Sequence, residues 1–266
     1  MTIEQIEESL FRKGFGKELN AELGKQVSSG NSEIKLAHSV AVEKDEIRYT
    51  IHIKNDIEND QLYLNKFDAA LKPTDSPEQV REHTFSSERM ITAMEAYRML
   101  KHGDKVAVNK DLFKDGEKYN TWLSLDLNQP KDEYGNYHVN SYHQNYYIYH
   151  PFDVKEQLGK VSLAVKQLEN PGSYENIEKS LKKANLIPVD VILNGREQKG
   201  YLGVDPAHSQ VVLYDSKLQL IKDNTQKQEN SQNITATPGN EEVKKKPWSN
   251  QKINWKSNQN RGSLGR

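Results

Sequence analysis

Apolar positions near the start of the chain recur with a helical period. Ile3, Ile6 and Leu10 share one face of a helix predicted over Thr2 to Lys13. Thr2 and Gln5 have the spacing of a capping box, and Gly14 stands where a helix stop is favoured. A second helix is predicted from Lys17 to Val27, with Leu19 and Leu23 on one side. The period then becomes two. Ile34, Leu36, His38, Val40 and Val42 alternate with shorter or polar residues, and so do Ile47, Tyr49, Ile51 and Ile53. This reads as two strands joined through residues 43 to 46. A third strand is expected over Gln61 to Phe67, and a separate short one near Ala69 to Leu71.

Lys72 to His83 reads as a polar loop with two prolines. Thr92-Ala-Met-Glu95 is a second capping box, and Ala93, Ala96, Tyr97 and Leu100 form the stripe of the helix it opens. The stretch from Lys105 to His150 follows, and the rest of the chain is organised around it. Val106 and Val108 alternate inward, and Asp115-Gly116 is a strong hairpin turn. Tyr119, Thr121, Leu123 and Leu125 lie on one face of the next strand and Trp122 on the other. Gly135-Asn136 turns into a strand from Tyr137 to Tyr142. Asp153 caps a short helix, and Ser173 caps a longer one reaching about Ala184. Ile187 to Leu193, the turn Asn194-Gly195 and Glu197 to Val204 make another hairpin. Asp205-Pro206 turns into a last strand, Gln210 to Asp215.

Asn65 to Leu71 echoes Leu213 to Leu218 as strand, aromatic-Asp turn and strand, which a reused hairpin explains as well as duplication does. The pattern defines an α+β protein of antiparallel hairpins and meanders with short packing helices. Three regions are expected. Residues 1–83 are a helical hairpin with a meander, 84–221 a hairpin-rich subdomain, and 222–266 a basic tail. From Lys222 the apolar periodicity stops and Asn, Gln, Ser and Lys dominate. Such a segment cannot bury enough apolar surface to offset the entropy of ordering, so the expectation is disorder.

Charge changes this picture. The whole chain is near neutral, at −1, but residues 222–266 hold 9 Lys/Arg against 4 Asp/Glu, a balance of +5. The remaining 28 basic and 34 acidic residues give the body −6. An acidic body with a basic tail is the asymmetry of an interaction arm. The absence of Cys excludes disulfides and thiolate metal sites. No run of about 18 apolar residues is present, and the start MTIEQIEESLF lacks the basic-then-apolar pattern of a signal peptide, so the expected location is the cytoplasm, without a membrane.

Two sets of residues are candidates for binding. In the tail, Lys244, Lys245, Lys246 and Arg261 are interleaved with Trp248 and Trp255. Basic side chains contact phosphates and displace counterions, while an indole stacks on a base. A solvated tail that aids solubility has the same composition. In the central stretch, His138, His143 and His150 stand among six tyrosines. Trp122, Tyr137, Tyr142, His143 and Tyr146 form the expected interaction face. The imidazoles match no spaced metal motif, and an aromatic sheet face with exposed His accounts for them better than a metal or ligand pocket does. The chain contains no nucleophile elbow, phosphate-binding loop or dinucleotide fingerprint, and it calls for neither a metal nor a cofactor.

The run Ile91-Thr-Ala-Met-Glu-Ala-Tyr97 continues through Val106-Ala-Val-Asn-Lys-Asp-Leu112 to Gly116-Glu-Lys-Tyr-Asn-Thr-Trp-Leu-Ser-Leu-Asp126. With Gly16 to Leu23, Gly135-Asn-Tyr137, Tyr142-His-Gln-Asn-Tyr146, Ser180-Leu-Lys-Lys-Ala-Asn185 and Val212-Leu-Tyr-Asp215, it resembles an uncharacterised family encoded on conjugative transposons and plasmids of gut and oral anaerobes. The resemblance covers most of residues 1–221. It implies a setting among replication and transfer genes, with no catalytic residue to carry over. Three functions are therefore expected, in order. The first is a non-enzymatic accessory protein that binds DNA, RNA or a DNA-processing protein through the tail. The second is a protein–protein module using the Tyr/His-rich face. The third is a metal-dependent, hydrolase-like enzyme with a site near His143.

Overall fold

A computed structural model describes residues 1–143, 146–148, 152–193 and 195–221. The described residues form an α+β fold of five α-helices and ten strands, the strands in three antiparallel sheets. Helix α1 (Ile3–Arg12) opens with the predicted capping box: the Thr2 hydroxyl accepts from the Gln5 amide, and the Gln5 side chain accepts from the Thr2 amide. It buries Ile6 and Leu10. Helix α2 (Asn20–Ser28) starts three residues later than predicted and buries Leu23.

Strands β1 (Glu33–Val42), β2 (Asp45–Asp56), β3 (Gln61–Lys72) and β4 (Arg81–Ser86) form a meander in sequence order. Val42 pairs with Asp45, so the first turn is shorter than predicted and places Glu43 at φ +57°. The two strands expected over residues 61–71 are one. The inward set is Leu62 and Leu64, then Phe67, Ala69 and Leu71, and this change of phase reads as a break. In the structure the β2–β3 register shifts between His52 and Ile53, leaving Asn65 as an extra residue. Such a bulge returns the odd-numbered side chains to the face that the even-numbered ones had occupied. Phe67 and Asp68 therefore lie inside a strand, and the expected echo of Leu213 to Leu218 is absent here.

The polar loop expected as far as His83 ends earlier, because Arg81–Ser86 pairs with β3. The division expected after His83 falls inside that strand. Helix α3 (Ala93–His102) carries its capping box, with Thr92 and Glu95 bonded reciprocally. Strands β5 (Val108–Lys114), β6 (Glu117–Asp126) and β7 (His138–His143) form the central sheet. Asp115 (φ +52°) and Gly116 (φ +83°) make its first turn, both at the positive φ of a two-residue hairpin. Helix α4 (Val154–Val161) is capped by Asp153, which accepts from the amides of Lys155 and Glu156. Helix α5 (Tyr174–Leu181) is not capped by Ser173 as expected. That hydroxyl donates to the carbonyls of Gln167 and Asn170 instead. Strands β8 (Ile187–Leu193), β9 (Arg196–Asp205) and β10 (Gln210–Asp215) close the fold as a third meander. Asn194, half of the predicted turn before β9, and residues 222–266 lie outside the described residues.

Two hydrophobic clusters form the interior. The first joins α1, α2, the four-stranded sheet and α3 around Phe15, whose ring meets Phe67 edge-on at 5.2 Å and Tyr49 at 5.4 Å. The second joins α4, α5 and the third sheet around Leu158, Leu181, Val191 and Leu202. Strand β6 belongs to both. Leu123 and Leu125 face the first cluster and Trp122 the second, and Thr121 to Leu125 are all buried. A strand covered on both faces needs a nearly continuous run of residues that tolerate burial, and Thr-Trp-Leu-Ser-Leu is one. Met1–Lys222 form one compact unit. Among the described residues no helix is long and apolar enough to cross a membrane.

Candidate functional site

The expected Tyr/His-rich face is divided by its own strand. Alternation along β7 sends Tyr142 to one side of the central sheet and Tyr137, Val139 and His143 to the other. On Tyr142's side the aromatics form a chain: Tyr142 to Tyr146 at 5.3 Å, Tyr146 to Tyr147 at 5.3 Å, Tyr147 to Phe152 at 6.0 Å and Phe152 to Trp122 at 5.3 Å. Trp122 is only 4% exposed, so it belongs to the core and not to an interaction face. The Tyr147 hydroxyl donates to the Pro206 carbonyl at 3.1 Å, and that of Tyr146 to Ala207. These bonds tie the segment after β7 to the turn before β10, and burial pushes the Tyr147 phenol above its ordinary range.

On the other side, exposed His143 meets Tyr119 edge-on at 5.5 Å. Among the described residues no three His, Asp or Glu side chains are grouped to hold a metal ion. Asn145, Tyr149 and His150, and all six tail residues from Lys244 to Arg261, lie outside the described residues.

Tyr137 stands elsewhere, with the Lys131 ammonium 4.5 Å from its ring centre. It forms part of the wall of a cavity of about 340 Å³. The other walls are Arg81 at the start of β4, Lys101 and His102 at the end of α3, Lys105 in the following turn, and Leu127 and Asn128 after β6. Arg81 donates to the carbonyls of Leu100 (3.0 Å) and Lys101 (2.7 Å). It thereby satisfies the open end of α3 and offsets the negative pole of the helix dipole. Lys101 donates to Glu43 and to the Tyr97 hydroxyl, both at 2.8 Å, and lies 3.0 Å from Asp45. Burial and the charges of Lys101, Lys105 and Arg81 hold His102 down at about 4 against the pull of Glu43, so its ring is neutral near pH 7.

Asp45 anchors the floor behind this wall. Burial works to raise its pKa. The Thr74 amide, Lys101 and the Tyr97 hydroxyl outweigh burial and hold it at about 2. On α3, Glu95 also pairs through both oxygens with Lys110 of β5, at 2.7 and 2.8 Å. A further cluster crosses the four-stranded sheet. His52 meets Asp68 at 2.6 Å, and Thr84 donates to the other Asp68 oxygen at 2.7 Å. Burial raises the Asp68 pKa, but Thr84 and His52 bring it below the ordinary value. The residue types are those of a nucleophile triad in a different connection. Both Thr84 and His52 bond the carboxylate, so no base stands against the hydroxyl to take its proton.

Sequence reasoning missed the cavity because its walls come from four separated segments. One trace is legible. Lys101-His-Gly-Asp-Lys105 is the basic bias expected where a helix ends. Compared with family models, curated proteins and solved structures, the chain gives no match.

Proposed function

We propose that the protein is a non-enzymatic accessory protein of a mobile genetic element, working in the cytoplasm, and that it binds nucleic acid through its basic C-terminal segment. The observation that carries this reading is the segregation of charge. Residues 1–221 carry −6, whereas residues 243–266 hold seven Lys/Arg, no Asp/Glu and two of the three Trp. An acidic body repels phosphate, so attraction concentrates on Lys244, Lys245, Lys246 and the basic residues after them. Trp248 and Trp255 add planes on which bases stack, worth roughly 1–3 kcal/mol per base. The resemblance to a conjugative-transposon family supports the same setting.

The test is a salt titration of binding to a labelled single-stranded oligonucleotide. Each phosphate contact contributes about −0.7 to the slope of log K against log salt. Substituting Gln at Lys244, Lys245 and Lys246 together is expected to flatten that slope by about 2 and weaken binding at low salt. An unchanged slope and affinity would refute the reading.

A second reading has its own observation. Tyr146 is 42% exposed and continues inward through Tyr142, Tyr147 and Phe152 to the second cluster. A part-exposed tyrosine backed by half-buried rings is a suitable anchor for a partner protein. Partner association lost in Tyr146→Ser but kept in the triple Gln variant would favour it.

A further inference from the structure

We propose that the cavity between the end of α3, the start of β4 and the segment after β6 is a binding site for a small phosphorylated molecule of about mononucleotide size. This inference is independent of nucleic-acid binding by the C-terminal segment, since every wall of the cavity lies within residues 79–137.

The charge of the lining favours an anion. Arg81, Lys101 and Lys105 line the cavity, with Asp104 as the single carboxylate among the lining residues. Lys101 is already neutralised by Glu43 and Asp45. Arg81 is bonded to main-chain carbonyls and, among the described residues, to no carboxylate, so it keeps its full charge and the N–H groups that α3 does not use. Among the described residues Lys105 has no side-chain hydrogen bond or ion pair. Both cations line the one cavity, where Asp104 is the single carboxylate, and a phosphate is the anion that a guanidinium and an ammonium together fit.

The shape of the cavity suits a phosphate that carries an organic part. The volume, about 340 Å³, lies in the range of small-molecule sites and exceeds the needs of a bare phosphate. Val80, Leu127 and the ring of Tyr137 supply apolar wall for an organic part, while Asn128 and Gln79 offer amides for hydroxyls. The neutral His102 ring supplies a built-in reporter. Lys101, Lys105 and Arg81 face it as cations, and Glu43 and Asp104 as anions. Burial first, and then these cations, keep the ring neutral, and a dianion in the cavity offsets the part due to the cations.

The experiment follows the His102 ring resonances of the full-length protein by NMR through a pH titration. The additions, in separate arms, are inorganic phosphate, ribose 5-phosphate, adenosine 5′-monophosphate and a short single-stranded oligonucleotide. With either phosphorylated small molecule at saturation, the His102 midpoint is expected to rise by about one unit or more, as a neighbouring opposite charge requires. The other seven histidines should move less. Lys105→Gln removes a side chain with no structural partner. It should weaken binding about tenfold while leaving the spectrum of the rest of the body unchanged. Asp104→Asn should tighten binding two- to threefold. Inorganic phosphate alone should bind more weakly than ribose 5-phosphate. Three results would overturn the proposal. One is an unmoved His102 midpoint in both small-molecule arms. Another is an equal shift at all histidines, the mark of nonspecific binding. The third is affinity indifferent to Lys105→Gln.

Discussion

At the scale of single residues, three groups among the described residues are shifted furthest in the acid range: buried Asp45 and His83, and half-buried His102. His83 and His102 are both held at about 4, His83 by burial first and then by Arg89 and Lys131. In the unfolded chain they titrate near 6.5. The folded form therefore binds fewer protons than the unfolded form between these values. The stability that the neutral rings represent is complete above about pH 6.5 and is lost as pH falls towards 4. Asp45 acts in the next window. Its carboxylate contributes above about pH 4 and the contribution disappears as pH falls through about 2. Chemical denaturation across pH 7 to 3 should accordingly show a decline starting near pH 6.5. His83→Phe should flatten the first part, because it removes a buried ring that titrates at about 4 in the fold and near 6.5 in the unfolded chain. Asp45→Asn should cost roughly 2–3 kcal/mol at pH 7 and less at pH 3. A profile flat from pH 7 to 4, or one that His83→Phe leaves unaltered, would contradict these assignments. None of this was legible in the sequence. Thr92 and Glu95 announced a capping box, but nothing local announced that Glu95 would also hold Lys110, fifteen residues on.

Elements show where sequence pattern suffices and where it does not. Both capping boxes, the β1–β2 alternation and the Asp115-Gly116 turn are local devices, and each forms as read. Strand β4 escaped because only His83 and Phe85 of its six residues are buried, and a His in that position does not register as apolar. Strand β3 was read as two because a bulge is invisible without its partner strand. The expected aromatic face failed for a simpler reason. Counting tyrosines along β7 ignores the alternation that puts Tyr137 and Tyr142 on opposite sides. Close backbone approach was also hidden. A Cβ on Gly200 of β9 would stand 2.5 Å from the Tyr214 carbonyl oxygen and 2.8 Å from Val191. The backbone of β10 cannot yield without losing ladder bonds. Gly200→Ala is therefore expected to destabilise the body by about 1–3 kcal/mol in denaturant unfolding, as overpacking does. A neutral effect would mean that β9 and β10 are further apart than the structure places them.

For the whole molecule, the central sheet is both divider and joint. The first cluster packs on one face of β6 and the second on the other, so neither is complete without it. Further bonds reinforce the joint. Asn109 donates to the Lys182 carbonyl at 2.9 Å and Ala184 to that of Ala107 at 3.1 Å, fixing the end of α5 to β5. The proposed phosphate cavity lies beside this joint, and the proposed nucleic-acid contacts lie beyond it in sequence, so a cooperative body is what both proposals presuppose. Native-state hydrogen exchange in low denaturant tests this most directly, comparing amides of β2, such as Ile51, with amides of β9, such as Leu202. Both sets should merge into one unfolding event of equal free energy and equal denaturant dependence, with Thr121 to Leu125 among the slowest to exchange. Exchange of β8, β9 and β10 through a separate, lower-energy opening while β1–β4 stayed protected would show two independent bodies and contradict the account.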